Sequence, residues 1–364
     1  MVFQTRMASR FVFGFDLALV EAMLFPFDFF YPMKTRRLGD TDLELSVIGL
    51  GTWAMGGGDW GMGWGDQDER DSIAAVHEAL ECGINWIDGA HAYGFGVAET
   101  SVGKAVKEWS GGDVIVATKC GVLPGEDNKP FRYISRDTIR EEVEGSLKRL
   151  QVDVIDLYQI HWPEPPENVE EGWEAVLELK QEGKIRWGGV CNFWKDDLDK
   201  AEALGHVSSA QPMYSLLARE IEEELLPWCG DKGTGVVVYS PMHSGLLTGK
   251  VSREWYDGLP SNDWRKHKTD HPVVQYLQTE EKFDHYLAFQ EELRTIAAAS
   301  GHTVGQLAVA WSLLRPEVTS AIVGARRKGQ IAETCQAADW DMSPAEVDAI
   351  EASLQNFLNK VDHA

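Results

Sequence analysis

VIVATK (residues 114–119), the helix-period segment 135–150 and VIDLYQIH (residues 154–161) form the stretch of sequence that decides the fold. Both quoted runs are apolar rather than alternating, which is typical of parallel strands that are covered on both faces. Ser135 is a favoured N-cap residue and opens the segment between them. The stretch therefore predicts a strand–helix–strand unit whose two strands end at Lys119 and His161.

The same alternation continues on both sides of this unit. Eight strand–helix units with no break predict a closed parallel (β/α)8 TIM barrel, an α/β fold. A further helix is predicted at the end of the chain. The other strands are predicted at 47–53, 85–90, 187–191, 209–214, 235–240 and 321–324, and the other helices at 69–82, 98–109, 169–183, 195–204, 220–229 and 304–314.

Two segments do not belong to the repeating unit. Residues 35–38 and 43–46 flank the sequence Gly-Asp-Thr-Asp, and this pattern predicts an N-terminal β-hairpin across the floor of the barrel. Residues 243–278 are too long for an ordinary connection, so we expect a functional loop or insertion. Active sites of such barrels lie at the C-terminal ends of the strands, and the long loops are expected on that face.

The composition restricts the class of protein. With 364 residues, 44% of them hydrophobic, the chain can form one barrel with insertions. Its formal net charge of −24 disfavours contact with phosphate backbones, so no nucleic acid partner is expected. The five cysteines are scattered and form no C-x-x-C pair. Neither a disulfide framework nor a metal site is predicted from them, and a cytoplasmic location is expected.

The first 32 residues differ from the rest of the chain. They combine early arginines with many apolar residues, but three acidic residues interrupt the apolar run. The run is therefore neither a clean signal peptide nor a membrane span. We predict that residues 1–32 are a non-functional extension and that residues 33–364, which begin at Met33, are a single barrel domain. The alternative is an amphipathic segment that touches a membrane or a partner, although no stable membrane association is expected.

Ionisable side chains end three successive predicted strands. Asp88 ends WID, Lys119 and His161 end the two runs quoted above, and Tyr93 lies five residues after Asp88. A lysine ammonium close to a phenol lowers its pKa from about 10, and a buried carboxylate keeps that lysine charged. A neutral imidazole can orient a carbonyl group. These parts fit hydride arrival at a carbonyl carbon, with Tyr93 protonating the oxygen.

The chain resembles the aldo-keto reductases. Asp88, Tyr93 and Gly94 form the D-x-x-x-x-Y-G pattern of that family, and Glu99 follows it. The resemblance spans roughly residues 35–354 and implies NADPH-dependent reduction of aldehydes or ketones, including sugar-derived ones. It is strongest to bacterial stress-type and sugar-aldehyde reductases and to potassium-channel beta subunits. The motifs that match in order are GLGTW (49–53), GGVCNF (188–193), QPMYS (211–215), YSPMHSGLLTGK (239–250) and GARRKGQIAET (324–334).

The resemblance assigns roles to individual residues. The catalytic set is Asp88, Tyr93, Lys119 and His161. The residues expected to bind the nicotinamide half of the cofactor are Gly51, Thr52, Trp53, Asp88, Asn192, Gln211 and Tyr239. Those expected along the pyrophosphate are Ser240, Pro241, Met242, Ser244, Gly245 and Lys250. Those expected around the adenosine are Gly324, Arg326, Gln330, Glu333 and Thr334.

The sequence also departs from the family pattern. Cys191 stands where the family usually has Ser, which weakens or removes one hydrogen bond to the carboxamide. Thr334 replaces a usual Asn at the adenine, with little consequence. Gly89 stands where Thr is common, and this change has no evident chemical effect.

Aromatic residues are expected to form the substrate pocket. The run GGGDWGMGWGD (56–66) does not open a helix with G-x-G-x-x-G spacing, so it is not a phosphate loop. We interpret it as a mobile loop at the mouth of the barrel that covers the substrate. Trp53 and Trp162 are expected to be pocket walls, with core packing as the alternative. The complete predicted pocket is Trp53, Trp60, Trp64, Tyr93, His161 and Trp162.

A basic cluster bears on the choice of cofactor. Arg326, Arg327 and Lys328 lie between the last predicted strand and a helix, where phosphate binding is favoured. Guanidinium groups pair well with a 2′-phosphate, so NADPH is expected over NADH. The alternative is solvated surface charge. Two other functions remain open: a cofactor-bearing regulatory subunit on the same fold, and a sugar-phosphate enzyme of the barrel class.

Overall fold

The computed structural model describes residues 33–58, 60–267 and 271–361. Its strands, numbered in chain order, are β1 (Thr35–Arg37), β2 (Glu44–Ser46), β3 (Ile48–Gly51), β4 (Trp86–Asp88), β5 (Ile115–Cys120), β6 (Val122–Pro124), β7 (Pro130–Arg132), β8 (Ile155–Ile160), β9 (Ile185–Cys191), β10 (Ser209–Gln211), β11 (Gly235–Tyr239) and β12 (Val318–Gly324). Eight of them close into a barrel in the order β10, β11, β12, β3, β4, β5, β8, β9. All neighbouring pairs in it are parallel, which confirms the predicted (β/α)8 barrel.

Helices cover the barrel between its strands. They are α1 (Glu69–Glu81), α2 (Val97–Glu108), α3 (Arg136–Leu150), α4 (Val169–Gln181), α5 (Lys195–Leu204), α6 (Leu225–Lys232), α7 (Arg253–Asp257), α8 (Trp264–His267), α9 (Glu280–Ala299), α10 (Val304–Ser312), α11 (Ile331–Cys335) and α12 (Pro344–Val361). Ser135 caps α3 as predicted. Its Oγ accepts from the Thr138 N–H, and the Thr138 hydroxyl accepts from the Ser135 N–H, so two N–H groups are satisfied at the helix start.

The antiparallel hairpin of β1 and β2 closes the end of the barrel where the strands begin. Arg36 Nη1 donates to the carbonyl oxygen of Val318, the first residue of β12. Burial of a leucine side chain contributes about 1.5–3 kcal/mol relative to exposure, so apolar contact is the main force that holds the hairpin. The predicted floor hairpin is confirmed. Its three leucines packed against the barrel interior are Leu38, Leu43 and Leu45.

Trp86 fills the barrel interior above this floor. The side chain is fully buried, and its Nε1 donates to Ser320 Oγ at 3.0 Å and to the Ser46 carbonyl oxygen at 3.2 Å. A Cβ atom on Gly49 would lie 2.1 Å from the indole ring. Glycine at this position therefore leaves the space that the tryptophan occupies.

The structure corrects several predicted bounds. The helix predicted at 220–229 begins at Leu225, because Pro227 lacks an N–H and is tolerated only in a first turn. The strand predicted at 209–214 ends at Gln211. Helix α9, with 20 residues, was not predicted. Thr279 caps it, and because its first turn is polar, the start of the sequence segment does not show the apolar spacing of the buried face that follows. The hairpin of β6 and β7 was also not predicted.

The chain from Met33 onward forms one compact unit. The predicted extension, residues 1–32, lies outside the described residues, so its lack of function remains a prediction. Within the part of the chain that the structure describes, no helix is both long and apolar enough to span a membrane.

Candidate active site

The mouth of the barrel brings the four predicted catalytic side chains together. Asp88 ends β4, Lys119 lies in β5, His161 directly follows β8, and Tyr93 lies in the loop after β4. Lys119 Nζ donates to Asp88 Oδ2 at 2.6 Å, to the Gly89 carbonyl oxygen at 2.9 Å and to Tyr93 Oη at 3.2 Å. An ammonium group has three protons, so these contacts satisfy it completely and fix its position.

Burial dominates the protonation of this group. It raises the pKa of Tyr93 above its usual range, and the nearby Lys119 ammonium opposes that rise only in part. The contribution of Lys119 has the predicted direction, but the effect of burial on the tyrosine pKa is larger. Burial acts to lower the pKa of Lys119, but the charge of Asp88 and its other neighbours raise it above its usual value. The site holds a protonated phenol beside a charged ammonium.

His161 lies against the tyrosine as a neutral imidazole. The rings of His161 and Tyr93 meet edge to face, with centroids 5.8 Å apart. Burial, the Lys119 charge and the Arg132 charge hold the pKa of His161 well below its usual value. Its Nδ1 is buried and has no hydrogen-bond partner among the described residues. A buried polar atom of this kind favours a ligand that offers it a hydrogen bond.

Amide side chains lie next to this group, as predicted for the nicotinamide end. Gln211 Nε2 donates to Asp88 Oδ1 at 2.9 Å. Asn192 Nδ2 donates to Cys191 Sγ at 3.2 Å, and Asn192 Oδ1 accepts from Tyr239 Oη at 2.7 Å. The thiol of Cys191 donates to Gln211 Oε1 at 3.7 Å. These residues form one polar network at the ends of β9, β10 and β11.

Two members of the network lie at its edges. Thr52 is buried after β3, and its Oγ1 donates to the Asp88 carbonyl oxygen at 3.0 Å, while Gly51 ends the strand itself. Gln159 was not predicted, although Gln211 Nε2 also donates to its Oε1 at 3.3 Å. The signal was present in the sequence, because glutamine interrupts the apolar run VIDLYQIH, and β9 alone separates its strand from that of Gln211 in the barrel.

The predicted pyrophosphate segment follows β11 in an unusual backbone conformation. Ser240, His243 and Ser244 have φ values of 56°, 47° and 53°, and Gly245 has a φ of 97°. Non-glycine residues adopt positive φ rarely, and such conformations cluster at ligand sites. Left-handed residues that alternate with right-handed ones or lie in turns aim successive backbone N–H groups into a concave nest that suits an anion. The segment therefore fits a dinucleotide pyrophosphate. Its other predicted members are Pro241, buried, and Met242, half-buried.

Arg265 supports this segment and was not predicted. Its Nη1 donates to the Ser244 carbonyl oxygen at 3.1 Å, and a Cβ atom on Gly245 would lie 2.9 Å from the same nitrogen. The buried Asp263 carboxylate accepts from Arg265 Nε at 3.0 Å and from Nη2 at 2.7 Å. This pair belongs to the predicted long loop 243–278, where no periodic pattern marks it in the sequence.

Arg326 contacts the loop after β3. Its Nη1 donates to the Trp64 carbonyl oxygen at 2.7 Å, its Nε to Gln67 Oε1 at 2.9 Å, and its Nη2 to the carbonyl oxygens of Gly65 and Asp66. The predicted phosphate ligand is thus engaged with protein acceptors. Gln330 Oε1 accepts from the Arg326 N–H at 2.7 Å and orders the turn that follows β12.

The other predicted adenosine residues lie around this turn. Gly324 ends β12 and is exposed. Lys250 Nζ lies 3.4 Å from Glu333 Oε2, and both side chains are partly exposed. Thr334 is buried in α11. The Lys250–Glu333 pair thus links the segment after β11 to helix α11, which follows the turn at Arg326.

The predicted pocket tryptophans divide into two groups. Trp60 is buried with its ring centroid 6.2 Å from that of Tyr93, so it lies at the reacting group. Trp53 and Trp64 instead pack on each other and on Trp264, which was not predicted. The backbone of Trp64 pairs with that of Asp263, so the loop after β3 is tied to the long loop 243–278. The prediction that this loop is mobile is not supported by these contacts.

Comparison with known proteins defines the class. The barrel and the polar group at its mouth are those of an oxidoreductase, and the sequence profile of the Aldo/keto reductase family matches residues 47–355. The chain belongs to the Aldo/keto reductase family. It is 41% identical over 330 residues to the aldo-keto reductase YhdN of Bacillus subtilis, covering 90% of this chain and 95% of that protein.

Two further similarities bear on activity. The chain is 37% identical over 328 residues to the NADH-specific methylglyoxal reductase of Escherichia coli, covering 86% of this chain and 96% of that protein. The solved structure of the glycerol dehydrogenase of Gluconobacter oxydans superposes with a TM-score of 0.79 at 36% identity, covering 89% of this chain and 96% of that one. Family membership supports carbonyl reduction as the general activity and leaves the dinucleotide open.

Proposed function

We propose that this protein reduces aldehydes or ketones to alcohols with NADPH, and that Tyr93 is the proton donor. The observation that carries the proposal is Lys119 Nζ, which bridges the Asp88 carboxylate and the Tyr93 hydroxyl beside a neutral His161. This arrangement holds a proton on a phenol and an ammonium next to it. It suits an oxygen atom that gains negative charge during the reaction.

Each residue has a defined part in the proposed mechanism. His161 orients the substrate carbonyl through a hydrogen bond from its neutral ring. Tyr93 Oη gives its proton to the carbonyl oxygen as negative charge develops there. The Lys119 ammonium stabilises the resulting phenolate at 3.2 Å, and Asp88 holds the ammonium in place. When bound, the nicotinamide cofactor supplies the hydride.

The cofactor would be held by the network described above. Asn192 and Gln211 offer amide groups to the carboxamide, Tyr239 offers an aromatic face, and the positive-φ segment offers N–H groups to the pyrophosphate. Arg326 offers a guanidinium to a 2′-phosphate, which supports NADPH over NADH. We also place the protein in the cytoplasm, a reducing compartment, because its cysteines are free thiols.

The replacement Tyr93→Phe tests this proposal. It removes the proton donor and keeps the ring, so turnover of 4-nitrobenzaldehyde is expected to fall by about 10²–10⁴-fold while NADPH still binds. Tyr256→Phe in α7 is the matched control, because Tyr256 lies outside the group around Lys119. NADPH oxidation and tryptophan fluorescence quenching measure turnover and binding.

Two outcomes would contradict the proposal. Near wild-type turnover in Tyr93→Phe would reject the tyrosine as proton donor. A wild-type protein that binds NADPH but oxidises it with none of a panel of aldehydes, ketoses and quinones would instead favour the regulatory-subunit alternative.

A further inference from the structure

The hairpin of β6 and β7 places a guanidinium beside the catalytic group. Arg132 ends β7, and its Cζ lies 3.5 Å from the ring centroid of Trp162. Trp162 directly follows His161 in the chain. Arg132 Nη1 also donates to Glu164 Oε1 at 2.6 Å. Stacking and the ion pair together fix the guanidinium at the mouth of the barrel.

The charge of Arg132 acts on the reacting groups. After burial and Lys119, it is the third contribution to the low pKa of His161. It also opposes the rise in the pKa of Tyr239 that burial causes. His161 directly follows β8 and Tyr239 ends β11, so both lie at the mouth of the barrel, where the stacking on Trp162 holds the guanidinium.

Arg132 has donors to spare. A guanidinium carries five N–H groups, and among the described residues the hydrogen bonds of this one are confined to Glu164. Its side chain is 41% exposed, so a ligand can reach it. The mouth thus combines the aromatic ring of Trp162 with an accessible cation.

We propose that Arg132 selects carbonyl substrates that carry a carboxylate, which its guanidinium binds while the carbonyl lies between Tyr93 and His161. This inference rests on the proposed reductase activity. The planar fork of a guanidinium matches a carboxylate in two parallel hydrogen bonds. The chain has a formal net charge of −24, so an anionic substrate is repelled elsewhere and needs a local cation at the mouth. An aromatic aldehyde acid fits both the cation and the walls.

The competing explanation is that Arg132 only docks the hairpin on Trp162. The two explanations differ for Glu164→Gln. If Arg132 binds the substrate carboxylate, Glu164 competes with the substrate for the guanidinium, and removing its charge improves reduction of the acid. If Arg132 only docks the hairpin, loss of the ion pair loosens the hairpin and impairs every substrate alike.

The experiment compares 4-carboxybenzaldehyde with its neutral methyl ester, methyl 4-formylbenzoate. Arg132→Gln is expected to lower kcat/KM for the acid about tenfold relative to the ester, a change equivalent to about 1.4 kcal/mol. Glu164→Gln is expected to raise kcat/KM for the acid and leave that for the ester unchanged. Lys129→Gln is the matched control, because it removes a positive charge that lies before β7 on the same hairpin and is 75% exposed. It should leave the acid-to-ester ratio within about twofold of wild type.

The outcomes separate the inference from the proposed function. Equal losses for acid and ester in Arg132→Gln would overturn the inference, and so would an acid-to-ester ratio that does not fall as ionic strength rises. Wild-type protein that reduces neither aldehyde, and no member of the panel of aldehydes, ketoses and quinones, would overturn the proposed function. In that case calorimetric binding of 4-(hydroxymethyl)benzoate and its methyl ester, with NADP⁺ present, decides the inference. Tighter binding of the acid that Arg132→Gln abolishes would support it, and equal binding of both would overturn it.

Discussion

Replacing Arg326 with alanine is expected to raise KM for NADPH more than KM for NADH. The guanidinium already donates to the carbonyl oxygens of Trp64, Gly65 and Asp66 and to Gln67 Oε1. A 2′-phosphate must therefore exchange with these acceptors before it binds. The charge-assisted contact would contribute about 1.5–3 kcal/mol without competition. Because the exchange offsets part of that gain, we expect the low end, roughly tenfold in KM for NADPH.

Because the protein acceptors compete with the 2′-phosphate for Arg326, removing one of them is expected to change KM for NADPH in the opposite direction. Gln67→Ala removes the acceptor of Arg326 Nε, together with the hydrogen bond that Gln67 Nε2 donates to the Arg326 carbonyl oxygen at 2.7 Å, and keeps the guanidinium itself. It is expected to lower KM for NADPH and to leave KM for NADH unchanged. Arg37→Ala is the matched charge control, because Arg37 is exposed in β1, at the end of the barrel opposite the mouth.

Both Michaelis constants are measured at fixed ionic strength, because salt screens this interaction. Equal weakening of the two cofactors in Arg326→Ala would mean that the arginine contacts a part of the dinucleotide that both share. No weakening of either would mean that it only ties the loop after β3. If Gln67→Ala raises KM for NADPH, the hypothesis that a 2′-phosphate displaces the protein acceptors of Arg326 is wrong.

Two more perturbations have definite expected outcomes. A chain that begins at Met33 should match the full chain in activity and melting temperature, because residues 1–32 fit no part of the barrel pattern; a large fall in melting temperature would show that the segment is packed. Burial raises the pKa of Glu142 to about 8. The folded protein therefore binds this proton more tightly than the unfolded chain does, and the resulting stability is fully present below the usual carboxyl pKa of about 4.3. That stability is lost as pH rises towards 8. Glu142→Gln should therefore gain about 1–4 kcal/mol in the free energy of unfolding, relative to wild type, between about pH 5 and pH 8; a gain that stays constant with pH in urea titrations would reject this assignment.

The sequence predicted what repeats and missed what depends on contacts between distant segments. Periodicity located the barrel strands, and their ionisable ends located Asp88, Lys119 and His161. Helix α9 escaped because its first turn is polar, and the hairpin of β6 and β7 escaped because its strands have only three residues each. Both elements lie in connecting loops, whose length varies freely in barrels, so no repeating pattern of the sequence indicates them.

The site was predicted in composition but not in its electrostatics. Proximity of Lys119 to Tyr93 follows from strand ends that converge, and the structure has it at 3.2 Å. The direction of the tyrosine pKa depends on how completely the loops exclude water, and strand patterns do not contain that information. Arg265 and Trp264 were missed for a related reason, because their loop has no regular period. Trp264 contacts Trp64, about 200 positions earlier, and Arg265 contacts Ser244, about 20 positions earlier.

The fit between Trp86, Gly49 and Ser320 constrains how this chain can evolve. Any side chain at Gly49 collides with the indole, and any smaller residue at Trp86 opens a cavity and removes the N–H that Ser320 Oγ accepts. Replacing Gly49 or Trp86 alone therefore lowers stability, so we expect residues 49, 86 and 320 to change together during evolution. In a set of diverged descendants, a larger residue at 49 should appear only where 86 has become smaller.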